Sequence, residues 1–419
     1  MASSSCTGSK SDEEEEEMSC FKKDALSVVT FRVVYDKMNV EKNKYPEFKP
    51  IMAHQIFGDS ESIFGYRSLS INLYYLHNSA RCYVDLQASG EIKGGLNQPD
   101  DIMKSLDQYL PENYTTEKNE FLKMIENEIH DTIFGTVLNE FKDTKKNEII
   151  PSQEEYAKYK ITLCDTKDEK FQQFHSRFET FITWFIDGAN FIDLTDERWM
   201  IFYAFEEVFH PETGKPYITP VGYCTVYKFL AYPNKIRARI SQFFVLPSHQ
   251  KRGIGTSLYQ TVFKHIQGIA DVVDITVEEP TLTFQRIRDV DDCSIIYNKL
   301  KETGISLTNN NLKKIFNIIK TNKICRKQCL RIYDILRAYE ASQNVDNYKS
   351  FLACIKERIR SENEKETRGS KKRQNILGAA TNLDVTEKNA LIEANYKKYI
   401  EDIEQSMKNF RKKLKITIE

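Results

Sequence analysis

The chain is 419 residues long, enough for two or three packed units, and sets 60 Lys and Arg against 61 Asp and Glu. That balance excludes a general electrostatic affinity for nucleic acid, so no direct nucleic-acid partner is expected and any partner must be recognised locally. No apolar run approaches the ~18 residues of a membrane span, and "MASSSCTGSKSDEEEEEM" lacks a signal-peptide core, which predicts a soluble intracellular protein without a membrane partner.

Nine cysteines with no CxxC pair read as free thiols in a reducing compartment. Cys325 and Cys329, one helical turn apart, read as two buried helix positions, and no metal is expected. Residues 1–22 form a small, polar and then acidic tail that cannot repay the entropy of ordering. Leu69, Ile71, Leu73 and Tyr75, then Cys82, Val84 and Leu86, alternate with polar residues, as in two half-buried strands of a hairpin. Helices are expected near 100–110 and 115–130.

Between Asp168 and Ile186, Phe171, Phe174, Phe178, Phe181, Ile182 and Phe185 fall on one helical stripe. His175 shares that face and reads as a packed ring with one satisfied nitrogen. Next come "WMIFYAFEEVF", "VGYCTVYKFLAY" and "RARISQFFVL", apolar strands separated by turn signals at "HPETGKPYITP" and Pro233-Asn234, as in an antiparallel meander. Pro247 ends the third strand, a glycine loop follows, and Ile254, Leu258, Val262 and Ile266 recur as the buried face of a helix. "ADVVDITV" then reads as a buried strand reached by a parallel, right-handed crossover.

Beyond Pro280 the pattern is helical. Residues 356–374 are strongly charged, with Lys371, Lys372 and Arg373 a weak import-signal candidate or simply part of a solvated linker. The last helix carries Ile392, Tyr396, Tyr399, Ile403, Met407, Phe410 and Leu414 in a stripe, a face for the protein's own body or for a partner helix.

The glycine loop is the chemical signal. A P-loop needs Gly-Lys before Ser or Thr, but Thr256 follows Gly255 directly; a dinucleotide fingerprint needs a third glycine where Leu258 stands. Gln250-x-x-Gly253-x-Gly255, after an apolar strand and before an amphipathic helix, resembles the acetyl-CoA signature of the Gcn5-related N-acetyltransferase superfamily. Bare backbone lets N–H groups converge on a pyrophosphate at a helix N-terminus, and Lys251 and Arg252 add charge from the rim. The resemblance makes Gln250, Lys251, Arg252, Gly253, Ile254, Gly255 and Thr256 the pyrophosphate site. It puts Phe243, Phe244 and Val245 beside the pantetheine arm.

An amine attacking a thioester needs a base, and Glu278 and Glu279 end the "DITVEEP" strand, where burial and mutual repulsion would raise one of them. "HQIFGDSESIFGY", "FIDLTDERW", "VGYCTVY", "RISQFFVL", "QKRGIG" and "DITVEEP" together resemble the type B histone acetyltransferase catalytic subunits over roughly residues 50 to 340. That resemblance implies an acetyl-CoA-dependent, metal-free histone (lysine) acetyltransferase. Glu278 would be the proton acceptor, Glu279 and Asp187 supporting or alternative carboxylates. Asp59, Ser60 and Glu61, with Tyr227, Lys228 and Phe229, would contact the tail of histone four.

The resemblance also implies a WD-repeat histone chaperone as partner and residence in nucleus and cytoplasm. Departures from the family pattern are Asp187 for a glutamate, Ser60 for a frequent acid, and the loop basics Lys251 and Arg252 for smaller or neutral residues. The expected fold is α+β. An N-terminal α+β domain (23–138) precedes a central Gcn5-related acetyltransferase domain with antiparallel meander and parallel crossover strand (139–280). A C-terminal helical domain (281–345) and a charged linker with helical tail (346–419) follow. Two rival readings keep the same residues: acetylation of a small amine or a protein N-terminus, and a noncatalytic adaptor with a degenerate fold.

Overall fold

A computed structural model describes residues 18–37, 40, 47–92, 98–143, 156–210, 213–307, 311–377 and 385–418, with side chains left undescribed at 363–377, 385–388 and 416–418. The acidic tail expected at 1–22 lies mostly outside the described residues. The chain divides into two compact units, one of residues 1–229 and 239–262, the other of 230–238 and 263–419.

The first unit opens with β1 (Lys22–Asp24), α1 (Ala25–Val28), β2 (Val29–Val34), β3 (Glu47–Phe48), α2 (His54–Phe57) and β4 (Ser62–Phe64). The predicted hairpin follows as β5 (Tyr66–Leu76) and β6 (Cys82–Glu91), paired antiparallel, and the predicted helices as α3 (Ile102–Asp107) and α4 (Lys118–Glu126). Strands β3-β2-β5-β6 form one sheet, with β2 parallel to β5. From Ile71 onward β5 is buried on both faces rather than one. Ile71, Leu73 and Tyr75 enter the main core, while Tyr74 and Leu76 meet Phe121 and Ile125 of α4 in a second cluster.

Then come β7 (Thr136–Lys142), β8 (Lys158–Cys164) and α5 (Glu169–Phe178), whose last turn tightens into a 3-10 segment, Glu179–Trp184, where a continuous helix was expected. Asp168 caps α5 by accepting from Lys170 N at 2.9 Å. The phenylalanine stripe covers the hairpin sheet: Phe181 lies 4.3 Å from Tyr75 and 5.6 Å from Phe31 between ring centroids, and Trp184 meets Phe31 edge-on at 5.4 Å. The domain boundary expected at 138/139 is therefore not a boundary here. One core runs from Ala25 to Leu246, because the sheet's apolar face needs a cover and the Phe helix supplies it.

The meander is β9 (Trp199–Phe209), β10 (Pro216–Ala231) and β11 (Lys235–Val245), continuing the order β11-β10-β9-β8-β7. A register shift at Pro220/Gly222 interrupts β10 opposite β9. There a Cβ on Gly222 would stand 2.4 Å from the Phe244 carbonyl oxygen, so the close approach of β10 to the end of β11 requires glycine. α6 (Ile254–Gly268) follows the loop, with Ile254, Leu258, Val262 and Ile266 buried as predicted.

In the second unit, β12 (Val272–Val277) lies beside the first residues of β11. Ile236 N donates to Asp271 O, Arg237 pairs with Asp274, and Thr276 Oγ1 donates to Ala238 O, partners that advance together as in a parallel pair. The remainder is helical: α7 (Leu282–Thr303), α8 (Leu312–Thr321), α9 (Arg326–Ala341), α10 (Val345–Leu377) and α11 (Val385–Ile418). The segment read as charged linker is thus largely helix α10, and Lys371–Arg373 lie on it. Cys325 is the N-cap of α9 and only half-buried, not the buried helix position expected.

The terminal stripe is covered by the chain itself, with Ile403, Met407 and Phe410 buried. Buried charges lock that packing. Arg331 grips Asp289 through Nε at 2.8 Å to both oxygens and reaches Asp402 at 2.5 Å, while Arg358 and Tyr399 converge on Asp334.

Candidate active site

The loop between β11 and α6 is built from both sides. Phe244 packs into the core against Phe185 and Phe181, at 5.4 and 6.1 Å between centroids, which leaves the neighbouring Phe243 and Val245 half-buried. Gln250 Nε2 donates back to Val245 O at 3.0 Å, tying the loop to the strand that feeds it. Lys251 and Gly253 both take left-handed backbone, φ +62° and +84°, and nothing stands within 4 Å of a Cβ position on Gly253.

Alternating left-handed residues ahead of a helix whose first N–H groups lack intrahelical partners are a backbone pattern suited to an anion. Ile254 gives its side chain to the core, so its contribution is the backbone N–H; Gly255 and Thr256 occupy the same first turn. These residues fit the diphosphate of acetyl-CoA. Arg252 does not act from the rim as expected. Its side chain is 10% exposed and its Nη1 donates to the buried Asp143 Oδ2 at 2.5 Å.

Asp187 is 78% exposed and lies with its Oδ1 3.0 Å from His54 Nε2. His54 Nδ1 is 3.6 Å from Glu61 Oε1, so one imidazole joins Asp187 to the acidic loop. Asp59 and Ser60 are exposed at that loop, and Ser60 Oγ lies 2.7 Å from Ser62 Oγ. Glu61 is turned inward: Oε1 accepts from Ala53 N at 2.6 Å and His54 N at 3.1 Å, capping α2. Its side chain stays 27% exposed at the acidic loop.

Residues after Asp187 are pinned in succession. Gln55 Nε2 donates to Ala189 O, Gln242 Nε2 to Asn190 O, and Ile192 N to Glu179 Oε2, at 3.2, 2.8 and 3.3 Å. Burial pushes Glu179 up to about 8, against the lowering effect of the Ile192 N–H. His175, pushed down to about 3 by burial, bonds Tyr203 Oη through Nδ1 at 2.6 Å, the satisfied nitrogen expected of it. Sequence reasoning missed Glu179; its i,i+4 spacing from His175 on the flank of the Phe stripe was the available signal.

Tyr227 and Phe229 form an aromatic wall with Trp199, ring centroids 4.7 and 4.6 Å from Tyr227. Arg198 sits over Tyr227 at 4.9 Å and Arg239 over Phe229 at 4.6 Å, so a cation already covers each ring. Asp196, which accepts from Tyr227 Oη at 3.0 Å, is held well below the usual carboxylate range by its hydrogen bonds from Arg198. Lys228 is half-buried, its N donating to Arg198 O at 3.0 Å.

In the second unit, Glu278 and Glu279 follow β12 on an exposed bend, with Glu279 at φ +32°. Both are exposed where burial was expected. Glu179, by contrast, is a buried carboxylate that burial raises.

The family model "Histone acetyl transferase HAT1 N-terminus" matches residues 21–187, and the acetyltransferase (GNAT) family model matches residues 164–281. The chain is similar to the histone acetyltransferase type B catalytic subunit of Homo sapiens, 29% identical over 401 residues with 92% of each chain covered. It is 30% identical over 323 residues to that of Kluyveromyces lactis, covering 73% of this chain and 77% of the relative. To that of Cryptococcus neoformans it is 25% identical over 343 residues, covering 76% and 82%.

Proposed function

Because this chain belongs to the family of type B histone acetyltransferase catalytic subunits, we propose that its substrate is the N-terminal tail of newly synthesised free histone four. It is a histone acetyltransferase with a GNAT domain, and the enzymes of that family use acetyl-CoA. The observation that carries the reading is the match of residues 21–187 to the N-terminal family model alongside the acetyltransferase match at 164–281.

Acetyl-CoA, when bound, supplies a thioester carbonyl open to attack. The chain supplies the grip and the proton acceptor. Backbone N–H groups of Gly253 to Thr256 hold the diphosphate, with Gln250 tying the loop to β11. A lysine with pKa ~10.4 is neutral in about one molecule in a few thousand at pH 7, so direct attack needs a base. Glu278, exposed after β12, would take the proton from the attacking nitrogen; as the carbon–nitrogen bond forms the carbon–sulfur bond would break, and coenzyme A would leave as the thiol once protonated. Glu279 and Asp187 are the alternative carboxylates. Asp59, Ser60 and Glu61 meet the cationic tail, with Tyr227, Lys228 and Phe229 as a wall. The reading extends to a WD-repeat histone chaperone as partner and to residence in nucleus and cytoplasm.

Mass spectrometry of a histone-four tail peptide after incubation with acetyl-CoA tests this reading, with free polyamine and an amine-terminal peptide without lysine as competitors. Acetylated lysine is expected and Glu278→Gln should abolish most of it near pH 7. Preferential acetylation of the polyamine or of the terminal amine, or full activity of Glu278→Gln, would overturn the substrate or the base respectively.

A further inference from the structure

The inward turn of Arg252 belongs to a larger buried arrangement. Asp143, just past the end of β7, accepts from Arg252 and lies 3.2 Å from Tyr159 Oη on β8. Tyr159 Oη is also 3.0 Å from Glu206 Oε1 on β9, and Glu206 Oε2 is 3.3 Å from His249 Nε2. His249 Nδ1 is 2.9 Å from Ser248 Oγ. The chain of contacts thus leaves the loop at Arg252, passes from the residue after β7 across β8 and β9, and returns at His249. Asp143, Glu206 and His249 side chains are 0%, 0% and 1% exposed.

Arg252 and His249 therefore hang the segment between them from one side, and the side chains of Gln250 and Lys251 remain exposed. With Arg252 drawn in, the residues on either side of it, Lys251 and Gly253, take left-handed backbone. Releasing Arg252 toward a ligand would leave a buried carboxylate without its cation, a state that costs several times what the pair itself contributes. The single hydrogen of Tyr159 serves one carboxylate at a time; His249 faces the second, Glu206.

We propose that Arg252 and Asp143 are positioning residues: their buried pair, continued through Tyr159 and Glu206 to His249, holds the loop in the conformation that receives the diphosphate of acetyl-CoA. Arg252 itself does not contact the phosphates. This rests on the reading that the loop binds that diphosphate.

The two roles of Arg252 predict opposite signs. If it were a phosphate ligand restrained by Asp143, Asp143→Asn would free it and tighten coenzyme A binding. If the pair positions the loop, Asp143→Asn loosens it. Calorimetric titration of the full-length chain with coenzyme A and with S-acetyl-pantetheine, which lacks the diphosphate, reads this directly, together with steady-state kinetics on a histone-tail peptide.

We expect Asp143→Asn to weaken coenzyme A about tenfold and raise KM for acetyl-CoA alike, a misplaced-loop effect, with S-acetyl-pantetheine affinity, kcat and tail KM unchanged. Tighter or unaltered coenzyme A binding overturns the proposal. Should Asp143→Asn not fold, Arg252→Lys decides: lysine keeps a charge for a phosphate but not the planar fork, so about tenfold weakening is expected and affinity within about twofold of wild type overturns it. Wild-type protein that binds coenzyme A and S-acetyl-pantetheine alike would instead refute the reading of the loop on which the proposal rests.

Discussion

His54 Nε2 lies 3.0 Å from Asp187 Oδ1, a contact across 133 residues of chain that joins the acidic loop to the segment leading into β9. Since Glu61 caps α2 beneath the same imidazole, His54 is the element through which the two acidic stretches share one geometry. If they act as a unit on a cationic tail, removing either partner should make removal of the other less costly. His54→Gln and Asp187→Asn should each lower kcat/KM for a tail peptide, and a double-mutant cycle should show coupling of about 0.5–1 kcal/mol. Strictly multiplicative effects would show that the pair does not act together.

Glu179 has a stability signature in pH. Its folded value of about 8 lies above the ordinary 4.5 of a glutamate, so between those values the folded protein binds a proton that the unfolded chain has released. Its contribution is fully present below about pH 4.5 and is lost as pH rises through about 8. Glu179→Gln keeps an acceptor for Ile192 N without the charge. The variant's thermal midpoint relative to wild type should therefore climb from pH 5 to 8 and level off above, by an amount on the order of a few kcal/mol in stability. Parallel pH dependences of the two melting curves would count against a buried neutral acid.

Two glycines flank the site for different physical reasons and should fail differently. Gly222→Ala drives a Cβ to 2.4 Å from Phe244 O and should destabilise the fold by about 1–3 kcal/mol in chemical denaturation. Gly253→Ala meets open space but forces φ +84° on an L-residue, at about 1–2 kcal/mol. Its effect should appear chiefly as a raised KM for acetyl-CoA. Equal melting losses with unchanged KM would remove the loop from cofactor binding.

The helical unit depends on buried charge. Asp334 is 1% exposed and receives Arg358 at 2.9 and 2.5 Å and Tyr399 Oη at 2.5 Å. Asp334→Ala leaves that guanidinium without its anion and should cost about 3 kcal/mol, toward the lower end for a buried pair because Arg358 retains some solvent. Denaturant unfolding followed by far-ultraviolet circular dichroism measures this. A change within about 0.5 kcal/mol would class the network with ordinary surface pairs.

The β5–β6 hairpin, the phenylalanine stripe of α5, the three-strand meander and the glycine loop before α6 were all legible in one dimension. Their signals are periodicity, turn residues and bare backbone, each contained within about 15 residues. The composition of the loop before α6 was legible for the same reason: Gln250, Gly253 and Gly255 stand at fixed local spacing. What tertiary structure alone decided is where side chains of ambiguous purpose point. Arg252 looked like rim charge and is drawn inward by Asp143, 109 residues away. Glu61 accepts from the backbone at the start of α2, a contact with Ala53 and His54 that no local pattern announced. The burial expected at Glu278 and Glu279 is found at Glu179, because exposure follows from which elements pack across a residue. Local pattern shows what a segment can become; a charged side chain's partner is chosen by whatever the fold brings beside it, since burying it alone costs too much.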